Sequence, residues 1–290
     1  MQKINPCLWF NHQAEEATAF YTSIFKNSKV GRTARYGDVS AQLSGQKKGS
    51  VSTMEFTIEH QNMLALNGGP LFKFSPALSF FVWCDTEEEI TRLWQGLSAG
   101  GEVRMGLDTY PWAQKYGWAA DKFGVEWQLI LAPHKQKIAP AILFVEELFG
   151  KGEEAINFYT SIFPHSKIES IAHDEATKTV AHAIFSLNGQ DFVLMEGQGA
   201  HNYSFTPAFS LTVNCETQKE VDTYWEKLAE GGSKDGCGWL TDKYGITWQI
   251  TPTVVADLMA DPQKADAVMA ALVKMDKLDI KALVAAGEQV

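Results

Sequence analysis

Cysteine and histidine are the residue types in this chain that could bind a transition metal or act as nucleophiles, and their spacing favours neither role. His173 stands next to Asp174, but a histidine in a loop or strand is more often a surface or hydrogen-bonded residue than a ligand. Four cysteines occur without any CxxC spacing, namely Cys7, Cys84, Cys215 and Cys237. Such cysteines are typical of small buried residues in a reducing compartment, and not of zinc ligands or a disulfide framework.

Adjacent glutamates occur twice, as Glu15-Glu16 and as Glu153-Glu154. Neighbouring side chains diverge around a helix, so neither pair can act as acid and base on one substrate. Both pairs suit the first turn of a helix, where the helix dipole favours negative charge. The apolar residues that follow them recur with the period of a helix. We therefore interpret the acidic pairs as solvated starts of helices.

These glutamates belong to an internal repeat, and the repeat determines the fold prediction. Residues 14–29 and 152–167 are identical at 11 of 16 positions, and residues 75–101 and 206–232 are identical at 11 of 27. Similarity of this kind indicates that supersecondary units have been duplicated. Each half of the chain therefore contains two related units, which we call modules.

Each module has the predicted element order β-α-β-β-β. In the first module, the hydrophobic pattern predicts a helix at 15–25 and strands at 4–10, 30–36, 50–59 and 63–67. Because the second half repeats these patterns, the same elements are expected there.

The second module of the first half repeats this order. It begins with an aromatic strand at 79–84 and a helix at 86–101, which Thr86 and Glu89 would start as a capping box. An insertion at 103–114 belongs to the first half alone.

The repeat also predicts how the chain divides. We expect a first domain at 1–133, a linker at 134–137, a second domain at 138–252 and a helical tail at 253–290. The two domains would pack as an internal pseudo-dimer, and a homodimer is the alternative. In the tail, Asp261-Pro262 separates two helical stretches. The tail either packs on its own domain or covers a second subunit.

Charge and hydropathy exclude several classes of partner. The chain has 290 residues, with 35 Asp and Glu against 25 Lys and Arg and a net charge of −10. Binding of nucleic acid needs an excess of basic residues, so no nucleic acid is expected. No apolar run approaches the ~20 residues of a membrane span, and the first residues do not resemble a signal peptide. We expect a cytoplasmic protein without a membrane partner.

Short motifs accompany the repeated Glu-Glu-Ala-x-x-Phe-Tyr-Thr-Ser-Ile-Phe stretch. They are Leu8-Trp9-Phe10, Ala65-Leu66-Asn67-Gly68-Gly69-Pro70, Phe72-Lys73-Phe74, Asp121-Lys122-Phe123-Gly124, Trp127-Gln128, Asn214-Cys215-Glu216-Thr217 and Cys237-Gly238-Trp239-Leu240. In these motifs the chain resembles the PhnB-like group, described as 3-demethylubiquinone-9 3-methyltransferase-like. This group belongs to the vicinal oxygen chelate (VOC) superfamily, which includes glyoxalases, bleomycin-resistance proteins and extradiol dioxygenases.

The resemblance covers nearly the whole chain as two tandem copies, and the tail also resembles the C-terminal extension of the group. It implies an α+β fold of paired βαβββ modules, known as the glyoxalase/bleomycin resistance fold. The modules would be duplicated in tandem and followed by a C-terminal helical extension.

The resemblance also implies where a metal would bind. In metal-using relatives the ligands face a cavity and are usually His on the first strand of each module and Glu on the last. The positions that correspond are held by Pro6, Pro140, Ala77, Ala208, Gln128 and Gln249, with Asn67 and Glu196 at the ends of the fourth strands. Proline and alanine offer no side-chain ligand, and neutral amides bind divalent metals poorly. We expect no metal and no other cofactor. A divalent metal is the alternative, and a shift of one or two residues would introduce Cys7 or Ser79.

The alternation of a strand suggests which residues line the cavities. If Gln128 and Gln249 face inward, Trp127 and Trp248 pack under the helices. The first cavity is then lined by Leu8, Phe10, Asn67, Ser79, Phe81 and Gln128. The second is lined by Ile142, Phe144, Glu196, Ser210, Thr212 and Gln249. Apolar pockets with a few polar groups are typical of small-molecule sites.

The leading hypothesis is therefore a small-molecule-binding protein that lacks the usual divalent metal site. One alternative is an enzyme of the same superfamily, acting as a metal-dependent lyase, isomerase or dioxygenase. Another is a scaffold whose cavities are filled. A methyltransferase would usually need a glycine-rich turn between a strand and a helix of a parallel sheet. Here Gly68-Gly69 follows a hairpin strand and Gly100-Gly101 ends a helix, so the sequence argues against methyl transfer. Whether any reaction is catalysed is left open by the sequence.

Overall fold

The computed structural model of the chain describes residues 2–288, and these form two compact units. Unit 1 comprises residues 2–23, 27–73 and 206–288, and unit 2 comprises residues 24–26 and 74–205. The helices and strands form four modules and a tail. Among the described residues, no helix is both long and apolar enough to cross a membrane.

The first two modules come from the first half of the sequence. The first contains β1 (Ile4–Phe10), α1 (Ala14–Ile24), β2 (Lys29–Arg35), α2 (Asp38–Ser44), β3 (Val51–Ile58) and β4 (Gln61–Asn67). The second contains β5 (Leu78–Cys84), α3 (Glu87–Ser98), β6 (Glu102–Tyr110), β7 (Ala113–Ala120) and β8 (Glu126–Leu131). The predicted insertion forms most of the long β6–β7 hairpin, whereas the short helix α2 was not predicted.

The last two modules come from the second half. The third contains β9 (Ile138–Phe144), a 3-10 turn (Glu146–Leu148), α4 (Gly152–Ile162), β10 (Lys167–His173), β11 (Val180–Leu187) and β12 (Gln190–Glu196). The fourth contains β13 (Phe209–Cys215), α5 (Gln218–Leu228), β14 (Ser233–Gly236), β15 (Trp239–Thr241) and β16 (Thr247–Pro252). The tail contains α6 (Val254–Ala260), α7 (Pro262–Leu272) and α8 (Ile280–Glu288). The predicted β-α-β-β-β order and the helical tail are confirmed.

Each unit contains one eight-stranded mixed sheet, and each sheet takes one module from each half of the sequence. Unit 1 has the strand order β14-β15-β16-β13-β1-β4-β3-β2, and unit 2 has the order β10-β11-β12-β9-β5-β8-β7-β6. At the centre of the sheets, β1 pairs with β13 and β5 pairs with β9, both antiparallel. The halves at 1–133 and 138–252 are therefore repeats of sequence, but neither forms a compact unit by itself.

The segment that was predicted as a linker lies inside unit 2. His134 stacks on Trp83 with ring centroids 4.2 Å apart, and its Nε2 lies 2.9 Å from Asp191 Oδ2. Lys137 forms an ion pair with Asp85. The six residues between β8 and β9 span at most about 20 Å, so β9 stays close to the module that precedes it. This short connection explains why the second and third modules share a sheet.

Helices cover one face of each sheet, which we call the outer face, and the opposite face is called the inner face. In unit 1, Tyr21 of α1 stacks on Phe56 with centroids 6.2 Å apart. In unit 2, Trp94 of α3 lies against Gly117, which pairs with Leu129. Because side chains alternate along a strand, these contacts determine the face of every neighbouring residue. Trp127 and Trp248 lie on the outer faces, and Gln128 and Gln249 lie on the inner faces, which confirms the predicted alternation.

The tail contacts both ends of the sheet of unit 1. Asp257 of α6 pairs with Arg32 of β2 at 3.3 Å. Asp266 of α7 accepts hydrogen bonds from the backbone of Asp38 and Val39 at the start of α2. Further along, the carbonyl of Met275 accepts a bond from the N–H of Cys237, beside β15. The tail therefore packs along unit 1 from β2 to the region of β15.

Two glycines mark places where a strand passes close to the end of a helix. A Cβ atom on Gly232 would lie 2.0 Å from the carbonyl oxygen of Thr241, and one on Gly101 would lie 2.0 Å from that of Ala120. We expect Gly232→Ala to lower the free energy of unfolding by about 3 kcal/mol, because the backbone must move apart. Urea unfolding measures the change. Gly106→Ala is the control, since a Cβ there meets no atom within 4 Å; equal losses for both variants would contradict the close approach.

Candidate functional site

The inner face of unit 1 carries a group of polar side chains at its centre. Cys7 on β1 lies opposite Ser210 on β13, and Asn5 lies opposite Thr212. Thr212 in turn lies beside Gln249 on β16. Residues that pair across strands in this way point to the same side of the sheet. The three central strands therefore bring a thiol, two hydroxyls and two amides together.

Part of this group is internally hydrogen-bonded. Gln249 Nε2 donates to Ser210 Oγ at 2.8 Å. Burial raises the pKa of the Cys7 thiol to about 11, and hydrogen bonds with Gln249 and Ser210 oppose that shift. Cys7 is therefore a neutral thiol near pH 7, suited to hydrogen bonding and not to nucleophilic attack.

Two atoms of the group lack a partner. Asn5 Oδ1 and Thr212 Oγ1 are buried without a hydrogen bond, and Thr212 as a residue is 6% exposed. An unsatisfied buried polar atom costs about 1–3 kcal/mol. A hydrogen-bonding molecule on this face would remove that cost.

Aromatic rings border the polar group. Trp239 of β15 pairs with Gln249 and so lies on the same face. Its ring makes an edge contact with that of Trp9, at a centroid distance of 6.2 Å. Both tryptophans are partly exposed. The inner face of unit 1 thus combines a polar centre with an aromatic edge.

The inner face of unit 2 is filled by its own side chains. Phe81, Trp83 and Tyr116 form a buried cluster with small residues of β9. The long β6–β7 hairpin packs Met105 and Tyr110 against this cluster. The face is therefore a hydrophobic core.

The polar atoms at the centre of unit 2 satisfy one another. Tyr116 donates its hydroxyl hydrogen to Gln128 Oε1 at 2.5 Å, and Gln128 Nε2 donates to Ser79 Oγ at 3.0 Å. Each side-chain oxygen and nitrogen of this trio therefore has a hydrogen-bond partner within the trio.

The two inner faces differ at equivalent positions of the repeat. Where unit 2 has Phe81, Trp83 and Tyr116, unit 1 has Thr212, Asn214 and Cys237. Where unit 2 has Ala139 and Ala141, unit 1 has Asn5 and Cys7. The hairpin that fills unit 2 is also short in unit 1, with strands of 4 and 3 residues. Unit 1 therefore has smaller side chains at the three aromatic positions and more polar ones at the two alanine positions.

The structure divides the predicted cavity residues between different surfaces. Ser79, Phe81 and Gln128 share the inner face of unit 2, and Ser210, Thr212 and Gln249 share that of unit 1. These two groups are the parts of the predicted sets that lie together.

The remaining predicted residues do not join those groups. Leu8 and Phe10 lie on the outer face of unit 1, because Leu8 pairs with Phe209 and Ala65 and not with the inner-face residues. Ile142 and Phe144 lie on the outer face of unit 2 in the same way. The predicted grouping was wrong by one residue on each first strand, and such a slip moves every side chain to the opposite face.

Asn67 and Glu196 were predicted to line the cavities, but both contact the starts of the repeated helices. Asn67 Oδ1 accepts from the N–H of Ala14 at 2.9 Å. Glu196 accepts from the N–H groups of Gly150 and Gly152. Both lie at the ends of their strands on the outer faces, so the expectation that they face the central cavities was wrong.

The sequence interpretation missed Asn5, Cys7 and Trp239 as inner-face residues. Cys7 was considered only for a shifted alignment. The pairing of β1 with β13 places Asn5 and Cys7 there and joins positions about 205 residues apart, and the pairing of β15 with β16 places Trp239 there. The signal that could have found them is the alternation itself, counted from Gln249 through β13 to β1.

The residues of this face do not form a divalent metal site of the usual kind. They offer one thiol together with neutral amides and hydroxyls, which are poor ligands for first-row metals. Across residues 2–288, no three His, Cys, Asp or Glu side chains are grouped so as to hold a metal ion. No chemical step is assigned to a metal here.

The cysteines differ in their expected reactivity. Burial raises the pKa of Cys7 to about 11 and those of Cys84 and Cys215 to about 12, and all three are buried. Cys237 is partly exposed. At pH 8 roughly one Cys7 thiol in a thousand is ionised. We expect iodoacetamide to modify Cys237 first and the others only after unfolding, as measured by peptide mass spectrometry. Equal labelling of Cys7 in the folded protein would contradict this.

Comparison with known proteins identifies relatives of the chain. The sequence model of the family described as 3-demethylubiquinone-9 3-methyltransferase matches residues 2–130 and again 136–251. The PhnB protein from Bacillus cereus is 40% identical over 45% of this chain and 100% of its own, with a TM-score of 0.42. No protein of curated function matches.

A more distant likeness covers both halves together. Glyoxalase I from Zea mays is 13% identical, over 85% of this chain and 90% of its own, with a TM-score of 0.58. At this identity the likeness shows the fold alone. The glyoxalase/bleomycin resistance fold, duplicated in tandem, is thereby confirmed.

Proposed function

Because the chain belongs to the family described as 3-demethylubiquinone-9 3-methyltransferase, within the vicinal oxygen chelate superfamily, we propose that it binds a small uncharged molecule on the inner face of unit 1. The observation that carries this proposal is the pair of buried, unpartnered atoms, Asn5 Oδ1 and Thr212 Oγ1. They lie beside each other across paired strands. In unit 2 the equivalent positions are the apolar residues Ala139 and Phe81.

The chemistry of the face indicates the class of ligand. Asn5 Oδ1 accepts a hydrogen bond, and the hydroxyl of Thr212 can donate or accept one. Cys7 is protonated, so the central side chains carry no formal charge. Trp9 and Trp239 provide flat apolar contacts at the border. A planar molecule with a hydroxyl or amide group suits this arrangement, because it would satisfy both orphan atoms and stack on a ring.

The proposal does not include methyl transfer. In the described structure Gly68 packs against the ring of Trp9 and Gly101 against the backbone of Ala120. Neither lies in a turn that joins a strand to a following helix, which is where a nucleotide-like cofactor is usually held. The family description therefore shows which proteins are related to this chain. The chemistry of the inner face of unit 1 supports binding of a ligand.

A thermal-shift screen of neutral aromatic and hydroxylated metabolites tests the proposal. We expect a ligand to raise the unfolding temperature of the wild type. Thr212→Phe installs the residue that fills unit 2 and should abolish the shift by occupying the site. Ser210→Ala should weaken binding about fivefold or more, because it removes a polar group of the centre.

Ser79→Ala is the matched control for Ser210→Ala. Ser79 holds the equivalent place in unit 2 and bonds the equivalent glutamine, so its loss should leave the ligand shift unchanged. Equal weakening by both serine variants, or a full shift in Thr212→Phe, would place the ligand elsewhere. The absence of any hit in the screen would favour a scaffold with filled cavities.

A further inference from the structure

The second copy of the repeat contains a carboxylate site that the chain fills itself. Glu196 Oε1 accepts from the N–H groups of Gly150 at 2.6 Å and Gly152 at 3.0 Å, and Oε2 accepts from that of Val180 at 2.6 Å. Three backbone donors thus converge on one carboxylate at the start of α4. The N-terminus of a helix favours an anion in this position.

The first copy has a shorter, neutral residue at the same place. Asn67 Oδ1 accepts from the N–H of Ala14, the counterpart of Gly152. Its Nδ2, however, donates to the carbonyl oxygen of Val51 at 3.1 Å, and Val51 is the counterpart of Val180. Asn67 therefore replaces one carboxylate oxygen of Glu196, and in place of the other oxygen it has an Nδ2 group that donates to Val51 and to Glu15.

A cavity of about 400 Å³ opens beside Asn67. It is lined by His12, Glu15, Gly45, Gln46, Lys47, Ser50, Val51 and Asn67. Its lining includes His12 and Val51, the counterparts of Gly150 and Val180, which hold the carboxylate of Glu196 in the second copy. We infer that the cavity binds the carboxylate group of a small external molecule.

The side chains of the lining fit such a ligand. Lys47 supplies a cation, and Gln46 and His12 supply further donors to a carboxylate. Glu15 also lines the cavity, and one of its oxygens accepts from Asn67 Nδ2 at 2.8 Å. This acid would repel a simple anion, but it would hold an amino or hydroxyl group on the same ligand. The favoured class is therefore a small carboxylate that carries a hydrogen-bond donor, such as an amino acid.

This site is separate from the inner face of unit 1. Asn67 pairs with Phe10, which lies on the outer face, whereas Cys7 and Thr212 lie on the inner face. Substitutions in one site therefore leave the other intact, and each proposal can fail by itself.

Titration of the whole protein with glycine and with sodium acetate tests the inference, with sodium chloride at matched ionic strength as the reference. Isothermal calorimetry and thermal shift measure binding. We expect both carboxylates to bind, and glycine to bind more tightly than acetate because of Glu15. Lys47→Gln should raise the Kd about tenfold or more, since it removes a charge-assisted contact.

Lys48→Gln is the matched control. Lys48 is the next residue, forms an ion pair with Asp38 and does not line the cavity, so its loss should leave the Kd unchanged. Asn67→Glu should abolish binding, because it supplies the internal carboxylate of the second copy. If that variant fails to fold, the two lysine variants still decide the matter. No response of the wild type beyond that to chloride, or equal effects of both lysine variants, would overturn the inference.

Discussion

Asp242→Ala is expected to lower the free energy of unfolding by about 4 kcal/mol, which is a large share of the stability of a domain. Asp242 is 3% exposed, and its Oδ1 accepts from the N–H groups of Tyr244 at 2.9 Å and Ile246 at 3.1 Å. Its Oδ2 accepts from Trp248 Nε1 at 2.8 Å. Removal of the carboxylate leaves three buried donors without this acceptor, and each such loss is costly. Urea unfolding followed by circular dichroism measures the change.

The same turn occurs in the other unit, which gives the prediction an internal test. Asp121 accepts from the N–H groups of Phe123 and Val125 and from Trp127 Nε1 at 2.8 Å. Asp121→Ala should therefore have a similar effect. Trp248→Phe should cost less than Asp242→Ala, because it removes only one of the donors. Glu230→Ala, at an exposed position, should change stability by no more than about 0.5 kcal/mol. If Asp242→Ala lowered the free energy of unfolding by no more than Glu230→Ala does, the turn would not depend on its carboxylate.

Glu196→Ala is expected to lower the free energy of unfolding by about 3 kcal/mol. The side chain accepts three backbone hydrogen bonds and so joins the start of α4 to β11. Bonds to a charged group are worth about 1.5–3 kcal/mol each, and the partial exposure of Glu196 reduces their sum through solvent screening. Chemical unfolding gives the total, and hydrogen exchange should accelerate first in residues 150–156.

The position of the carboxylate, and not its charge alone, explains this expectation. Glu196→Gln keeps the length of the side chain and one acceptor oxygen, so we expect it to lose less than Glu196→Ala. Glu147→Ala is the control, because Glu147 is exposed. Asn67→Ala should cost about 1–2 kcal/mol, since Asn67 caps the equivalent helix with one bond from Ala14. If Glu196→Ala and Glu147→Ala were equally stable, the cap would contribute nothing.

The inner faces of the two units are packed differently. In unit 2 the long hairpin and the aromatic cluster close the face, and the trio of Ser79, Gln128 and Tyr116 satisfies its own hydrogen bonds. In unit 1 the serine and glutamine are kept, but Thr212, Asn214 and Cys237 replace the three aromatic residues of the cluster, and the hydroxyl of Thr212 has no partner. The filled face of unit 2 contributes stability, and the inner face of unit 1 is the one that we propose to bind a ligand. This division follows from packing, because a core that is closed by aromatic rings has no space for a ligand.

The local elements could be predicted from the sequence because their signals are local. The duplicated stretch ending in Phe25 and Phe163 has helical periodicity, and it forms α1 and α4. Thr86 begins α3 by accepting from the N–H of Glu89, as the capping box indicates. The alternation of Trp248 and Gln249 was likewise visible. The repeat, the α+β modules and the helical tail all rest on spacings of a few residues.

Only the tertiary structure decided which residues share a surface. β5 and β9 are buried at all seven positions, so the hydrophobic pattern does not distinguish their two faces. On β1 the apolar residues Leu8 and Phe10 were assigned to the cavity in place of Cys7, because the sequence does not show which face is covered by helices. The partners of these strands are also distant in sequence, since β1 pairs with β13 of the other half. Periodicity by itself determined the repeated helices, most strands and the modules, but not the short helix α2. The pairing of the modules determined the polar centre of unit 1, because register and face depend on contacts that no local pattern encodes.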